Sequence, residues 1–255
     1  MRKGLRSGRR DRSCPRQTRL GGPSGLSVAL HTSRTGSASD RAKALARLKQ
    51  ARLYVILTSH LCKRPILETA RLALEGGADM LQLREKDMPD EDFLRLSVEL
   101  REITTKKGRL FIVNDRPHVA LESGADGVHL GQGDMSIGEA RKLLGKDFII
   151  GLSTHSLEQA ELAYKQGADY IGIGPIFSTQ TKPKERPIGT EILHHVRDIP
   201  IPCFAIGGIS LTNLAEVTKA GASRIAVCSA VVGQEDVLDA TRLFVQSLRG
   251  IVVKY

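Results

Sequence analysis

Apolar residues return along this chain in two alternating rhythms. Short aliphatic runs are separated by longer stretches in which apolar positions recur every three or four residues, the signatures of buried strands and amphipathic helices. A short helix carrying Ala44, Leu45 and Leu48, capped by Asp40, leads into the first run, Leu53-Tyr-Val-Ile-Leu57. Further strands are predicted at 80–83, 110–113, 127–130, 148–152, 169–174, 203–206 and 225–228. Helices are predicted over about 65–76, 90–106, 117–123, 136–144, 156–166, 189–197, 210–220 and 235–249. Eight strand–helix repeats with short loops imply a parallel sheet with right-handed crossovers. Eight such units close on themselves, so the predicted class is α/β, a (β/α)8 barrel of the TIM type. An internal echo agrees. Gly77-Ala-Asp79, Gly124-Ala-Asp126, Gly167-Ala-Asp169 and Gly221-Ala-Ser223 each end a helix and open an even-numbered strand. There the glycine supplies the left-handed residue that stops the helix. The structural alternative is an open doubly wound sheet. It calls for a glycine fingerprint after the first strand, where Thr58-Ser59-His60 stands instead.

Charge changes this picture at one end only. Residues 1–50 carry 13 Lys and Arg against Asp11 and Asp40, while the other 205 residues carry 25 basic and 26 acidic groups. The basic character therefore belongs to the N-terminal segment, and net charge gives no reason for the body to bind nucleic acid. Residues 1–40, rich in Arg, Ser and Gly, show no periodic apolar face and are expected to be disordered. A transit peptide, a nucleic-acid-binding arm and a non-functional extension compete for them. Residues 41–255 are expected to form one barrel domain. Cys14, Cys62, Cys203 and Cys228 form no Cys-x-x-Cys pair, which suits a reducing, cytoplasmic compartment. No apolar stretch reaches the roughly 18 residues of a membrane span.

In a barrel of this kind the site lies at the C-terminal ends of the strands. Gln82-Leu-Arg-Glu-Lys86 follows strand two, and alternation puts Gln82, Arg84 and Lys86 on one side. Asn114-Asp115 ends strand three, His129-Leu-Gly-Gln-Gly-Asp134 strand four, and Ser153-Thr-His155 strand five. Strand six runs through Gly172, Gly174 and Pro175 into Ser178-Thr-Gln-Thr-Lys182. Glycines within that strand suggest that a ligand or another backbone comes close. Gly207-Gly208 follows strand seven, and Cys228-Ser229 ends strand eight. Three cations, two separate carboxylates, several hydroxyls and bare glycine backbone are suitable equipment for a diphosphate. Asp115 and Asp134 come from neighbouring strands, so both can face one Mg2+. Gly207-Gly208 with Ser229 matches the phosphate cradle that barrels build after strands seven and eight. Each feature also has an ordinary reading: an Arg84–Glu85 ion pair, Asp115 as a helix cap, Asp134 as a turn residue, His129 or His155 as a hydrogen-bonded core histidine.

Taken together and in order, these motifs carry a resemblance. Gln82–Lys86, Asn114-Asp115, Gly127-Val-His-Leu-Gly-Gln-Gly-Asp134, Gly151-Leu-Ser-Thr-His155, Gly174-Pro-Ile-Phe-Ser-Thr-Gln-Thr-Lys182 and Ala205-Ile-Gly-Gly-Ile209 resemble the thiamine-phosphate synthase family over about residues 45–250. The resemblance implies a (β/α)8 barrel. It implies a transferase that joins 4-amino-5-hydroxymethyl-2-methylpyrimidine diphosphate to a thiazole phosphate and releases pyrophosphate. By it, Gln82, Leu83, Arg84, Glu85, Lys86, Asn114, Ser153 and Lys182 would hold the pyrimidine diphosphate, with Arg84, Lys86, Ser153 and Lys182 acting in catalysis. Asp115 and Asp134 would bind one Mg2+. Thr179, Gln180, Thr181, Gly208, Cys228 and Ser229 would hold the thiazole phosphate. The implied partners are small phosphorylated substrates, with no nucleic acid and no membrane; a homo-oligomer is left open.

Two departures stand out. Pro183-Lys-Glu-Arg-Pro187 differs from the family's usual acidic continuation, and Thr58-Ser59 stands where the family tends to carry Thr-Asp. The alternatives are a related thiazole tautomerase, which needs no diphosphate clamp, and a non-catalytic barrel that binds thiazole phosphate.

Overall fold

The computed structural model describes residues 38–179 and 185–250. The expected disorder of residues 1–40 falls almost wholly outside that range. Helix α1 (Ala38–Gln50) begins two residues before Asp40, which lies in its first turn rather than at its cap. The strands follow as β1 (Leu53–Leu57), β2 (Met80–Leu83), β3 (Leu110–Asn114), β4 (Gly127–Leu130), β5 (Ile149–Thr154), β6 (Tyr170–Ile173), β7 (Cys203–Ile206) and β8 (Ile225–Val227). Between and after them lie α2 (Ile66–Gly76), α3 (Asp90–Lys106), α4 (Pro117–Glu122), α5 (Ile137–Leu144), α6 (Leu157–Lys165), α7 (Ile192–Val196), α8 (Leu214–Lys219), α9 (Ser229–Val232) and α10 (Val237–Leu248). All neighbouring strands pair in parallel, and Leu53, Tyr54 and Val55 of β1 register with Ile225, Ala226 and Val227 of β8. The sheet is a closed eight-stranded barrel, so the open-sheet alternative is set aside.

Three elements depart from the periodicity. The helix after β7 starts at Leu214 because Ser210–Asn213 forms a turn, in which Asn213 accepts from the Ser210 amide and donates to Gly208 O. Ser59–Leu61 forms a 3-10 turn, and α9 follows β8 directly. Both are too short to display a helical repeat in sequence.

The Gly-Ala-Asp echo has a physical cause. Gly77, Gly124, Gly167 and Gly221 all take positive φ. The aspartate that follows each of the first three turns back onto the base of the preceding odd-numbered strand. Asp79 Oδ2 accepts from Arg52 and Leu53 N–H, Asp126 Oδ2 from Phe111 N–H, and Asp169 Oδ2 from Ile150 N–H. Each also meets arginine: Arg109 for Asp79, Arg101 for Asp126, and both Arg41 and Arg141 for Asp169. These charge-assisted bonds satisfy strand N–H groups that have no ladder partner.

Side chains divide between two cores. One lies between strands and helices. The other fills the barrel, where Tyr54, Tyr170 and Phe204 pack edge to face with ring centroids 5.5–6.0 Å apart. Ala44 and Leu48 of α1 belong to this inner core, so α1 closes the N-terminal end and leaves the other end as the mouth. A Cβ at Gly151 would fall on the Tyr170 ring, and one at Gly174 would fall on Ile206 O. Gly151 in β5 and Gly174 just after β6 thus admit a large ring and a neighbouring backbone.

Candidate active site

The mouth holds a cavity of about 390 Å3. Its floor is the apolar inner core, lined by Tyr54, Ile56, Phe204 and Ile206. Above the floor the strand ends deliver polar groups. Gln82, Arg84, Lys86, Asn114, Asp115, Asp134, Ser153, Thr179, Gly208, Cys228 and Ser229, the strand-end residues read from sequence, all line this one cavity. Leu83 and Glu85 do not. Leu83 is fully buried on the outer face of β2, and the Glu85 carboxylate accepts from the Ser59 amide. The alternative reading, an Arg84–Glu85 ion pair, is not seen among the described residues. Gln180, Thr181 and Lys182 lie outside the described residues.

On one side the chain sets up a cation–carboxylate cluster. The Arg84 amide donates to Leu57 O at 2.9 Å, extending the β1–β2 ladder and carrying its side chain to the rim. The Arg84 guanidinium has no acceptor among the described residues. Beyond β3 the backbone turns sharply. Asp115 N donates to His129 O at 2.9 Å and Arg116 N donates to Asn114 O at 2.8 Å. Asp115 takes φ +60°, the one non-glycine residue with positive φ among the described residues. Such a conformation costs roughly 1–2 kcal/mol and is characteristic of functional positions. It aims the Asp115 carboxylate at Lys86, with which it forms an ion pair.

Asp134 closes a tight turn. Its amide donates to Gly131 O and its Oδ2 accepts from Gly131 N–H at 2.7 Å. The turn reading of Asp134 is thus observed, yet the same side chain also reaches the Asp115 carboxyl within hydrogen-bonding range. Partial burial pushes the Asp134 carboxyl up from its ordinary value, Asp115 adds to the rise, and Lys86 opposes it. Among the described residues, these two carboxylates are answered by the Lys86 ammonium, which leaves them one charge short of neutrality. That donor set fits a divalent cation such as Mg2+, which takes one or two carboxylates and fills its other positions with water and substrate oxygens. Among the described residues, no group of three or more His, Cys, Asp or Glu could hold a metal, so a closed protein cage is not what these residues offer.

Across the mouth the lining is mostly short and uncharged, with Glu185 the acidic residue that the loop after β6 adds to the cavity. Gly207 and Gly208 take φ +98° and +63°. A Cβ on Gly207 would meet Pro175, and one on Gly208 would meet Phe177 and Ser178 O. Their glycine identity is therefore required first by the β6 loop packed on them. Cys228 and Ser229 begin α9, a short extra helix after the eighth strand, the position at which barrels of this architecture hold phosphate.

Sequence reasoning missed the floor. Tyr54 and Ile56 lie in a strand that is apolar at every position and buried throughout, and such a strand does not announce which face points inward. His129 and His155 are both hydrogen-bonded. His155 Nδ1 meets Gly174 O at 2.5 Å, while His129 bonds through both ring nitrogens.

Comparison with known proteins agrees with this geometry. Residues 53–231 match the family described as thiamine monophosphate synthase. The chain is 45% identical over 203 residues to the thiamine-phosphate synthase of Gloeobacter violaceus, covering 79% of this chain and 59% of that one. It is 47% identical over 193 residues to the thiamine-phosphate synthase of Methanoculleus marisnigri, covering 74% of this chain and 92% of that one. The thiamine phosphate pyrophosphorylase of Pyrococcus furiosus superposes with a TM-score of 0.74 at 42% identity, covering 81% of this chain and 99% of that one. The chain belongs to the thiamine monophosphate synthase family.

Proposed function

We propose that this barrel joins 4-amino-5-hydroxymethyl-2-methylpyrimidine diphosphate to a thiazole phosphate, yielding thiamine phosphate and pyrophosphate. The observation that carries the reading is the pairing of two unlike anion sites on one mouth. Arg84, Lys86 and the Asp115–Asp134 pair stand on one side, Gly208, Cys228 and Ser229 on the other. A tautomerase has no need of the first.

In the reaction the methylene C–O bond of the pyrimidine breaks and its electron pair leaves with pyrophosphate. The thiazole nitrogen lone pair then forms the new C–N bond, and no proton is lost. Arg84 and Lys86 meet the negative charge as it grows on the leaving group, a stabilisation that needs no general base. Asp115 and Asp134 would hold Mg2+, which when bound supplies further positive charge to the diphosphate. Gln82, Asn114 and Ser153 orient the pyrimidine diphosphate. The apolar floor excludes water that would otherwise compete with the thiazole. Leu83, Glu85, Gln180, Thr181 and Lys182 retain the roles that the resemblance implies.

The same proposal takes residues 41–255 as the catalytic domain and residues 1–40 as a dispensable extension. It takes small phosphorylated molecules as partners rather than nucleic acid. No described helix is long and apolar enough to cross a membrane, and a cytoplasmic site of action accompanies the proposal.

The test is to incubate the protein with both phosphorylated substrates and Mg2+ and to follow thiamine phosphate and pyrophosphate by mass. Equimolar appearance of the two is expected. Interconversion of thiazole tautomers without thiamine phosphate would replace the reading with an isomerase.

A further inference from the structure

Five polar side chains form a continuous chain beneath the active-site cavity. Gln82 Nε2 donates to Tyr54 Oη at 2.5 Å, and the Tyr54 and Tyr170 hydroxyls meet at 3.0 Å. Tyr170 Oη then meets His129 Nδ1 at 3.0 Å, and His129 Nε2 meets Ser153 Oγ at 3.0 Å. Gln82, Tyr54, Tyr170 and His129 are buried, and Ser153 is half-exposed at the cavity. The residues come from β2, β1, β6, β4 and β5, so only barrel closure brings them together. Gly151 admits the Tyr170 ring, and Gly172 stands against His129 Cε1.

With the Gln82 Nε2 toward Tyr54, as in this structure, the order of protons along the chain follows from counting donors. The Gln82 NH2 group can only donate, and a phenol has one proton. Burial pushes both tyrosines up from their ordinary pKa, so each keeps that proton. Tyr54 accepts from Gln82 and must donate to Tyr170. Tyr170 accepts from Tyr54 and must donate to His129 Nδ1. His129 is then the neutral tautomer with its proton on Nε2, and that N–H donates to Ser153 Oγ. Ser153 is left with its own O–H directed elsewhere, and the cavity is the space it faces. Each bond polarises the next, so a hydroxyl that already accepts from an imidazole N–H is the stronger donor.

We propose that His129, set by the Gln82–Tyr54–Tyr170 chain, is a positioning residue that makes the Ser153 hydroxyl a hydrogen-bond donor into the cavity. Its acceptor is an oxygen of the departing diphosphate, which gains negative charge as the C–O bond breaks. This role rests on the synthase reading given above. The tautomer assignment does not. Had the Gln82 amide turned its oxygen to Tyr54, every proton would run the other way. His129 would then carry its proton on Nδ1, and Ser153 would point into the protein.

Long-range 1H–15N spectra of the full chain, with the His129 signals assigned by loss in His129→Gln, read the tautomer directly. The proton is expected on Nε2; a proton on Nδ1 overturns the proposal whatever the enzyme catalyses. Kinetics then test the role. Tyr170→Phe keeps the ring and removes the donor to Nδ1, and kcat should fall about tenfold with KM for the pyrimidine diphosphate within about twofold. In a Ser153→Ala background the same change should cost almost nothing, because the chain acts only through that hydroxyl. Equal costs in both backgrounds would reduce the network to a structural one and sink the proposal. If Tyr170→Phe does not fold, Tyr54→Phe interrupts the same chain one step earlier and is read the same way. A wild-type protein that makes no thiamine phosphate would fail the synthase reading while leaving the tautomer result standing.

Discussion

Both ends of this barrel carry aspartates, and the two sets live in opposite circumstances. At the N-terminal end Asp79, Asp126 and Asp169 each accept strand N–H groups and each face at least one arginine. Their charge is fully answered, and nothing is left over for a ligand. At the mouth Asp115 and Asp134 face each other, and among the described residues Lys86 is the cation paired with them. Asp115 adopts a backbone conformation that side chains avoid. The same residue type thus serves stability where its partners are complete and recognition where they are not. Completeness of partners, more than burial or residue identity, separates the two ends.

This contrast can be broken from either end. The largest expected effect is at the mouth. Arg84→Ala removes a guanidinium from the leaving-group side, and kcat for coupling should fall about a hundredfold to a thousandfold with little change in Tm. Asp115→Asn should be comparably deleterious at low Mg2+ and recover in part as Mg2+ is raised, because its loss is one of metal affinity. Activity that is equal in excess EDTA would end the metal assignment.

At the other end Asp126→Ala removes the carboxylate that meets Arg101 and accepts from the Phe111 N–H, in a site where Asp126 is 1% exposed. The cost should be about 3 kcal/mol, lowering Tm by roughly 10 °C, while kcat measured well below the new Tm stays near wild type. A loss of rate without a loss of stability would erase the distinction between the ends. Gly208→Val sits between these cases. It strains a positive φ and collides with Phe177 and Ser178, so KM for the thiazole phosphate should rise several-fold, more than KM for the pyrimidine diphosphate.

The smallest effect sharpens the comparison most. Asp134 has a folded-state pKa above its unfolded value, so the folded state binds the proton more tightly. The contribution of Asp134 to the stability of the metal-free protein is then greatest below the unfolded pKa and declines as pH rises from there through the folded pKa. At neutral pH the ionised Asp134 works against folding. Asp134→Asn should therefore raise Tm slightly without metal and abolish the further rise that Mg2+ gives the wild type. A fall in metal-free Tm would mean that Asp134 is held like the aspartates at the base.

Much of the architecture was legible because it is local. Strand and helix alternation shows in windows of a few residues, and Gly77, Gly124 and Gly167 mark helix ends by a backbone requirement that only glycine meets cheaply. The strand-end rule then collected Arg84, Lys86, Asp115, Asp134 and Ser153 into one mouth. Alternation along β2 also separated Gln82, Arg84 and Lys86 from Leu83 and Glu85, which only the resemblance adds to the site; one of these faces the outer core and the other turns to Ser59. The floor residues Tyr54, Ile56 and Phe204 read as ordinary core, because a parallel strand buried on both faces carries no polar alternation.

Sequence alone determined that eight parallel strands would close and that cations and carboxylates would gather at their ends, since periodicity and chain order are properties of neighbours along the chain. Tertiary structure decided how those groups are partnered. Whether Asp115 meets Asp134 or an arginine, and whether Gln82 orders a tyrosine pair that ends on Ser153, depends on side chains carried by different strands. Hydrogen bonds and ion pairs act over a few ångströms in space, and only barrel closure brings such residues within that distance.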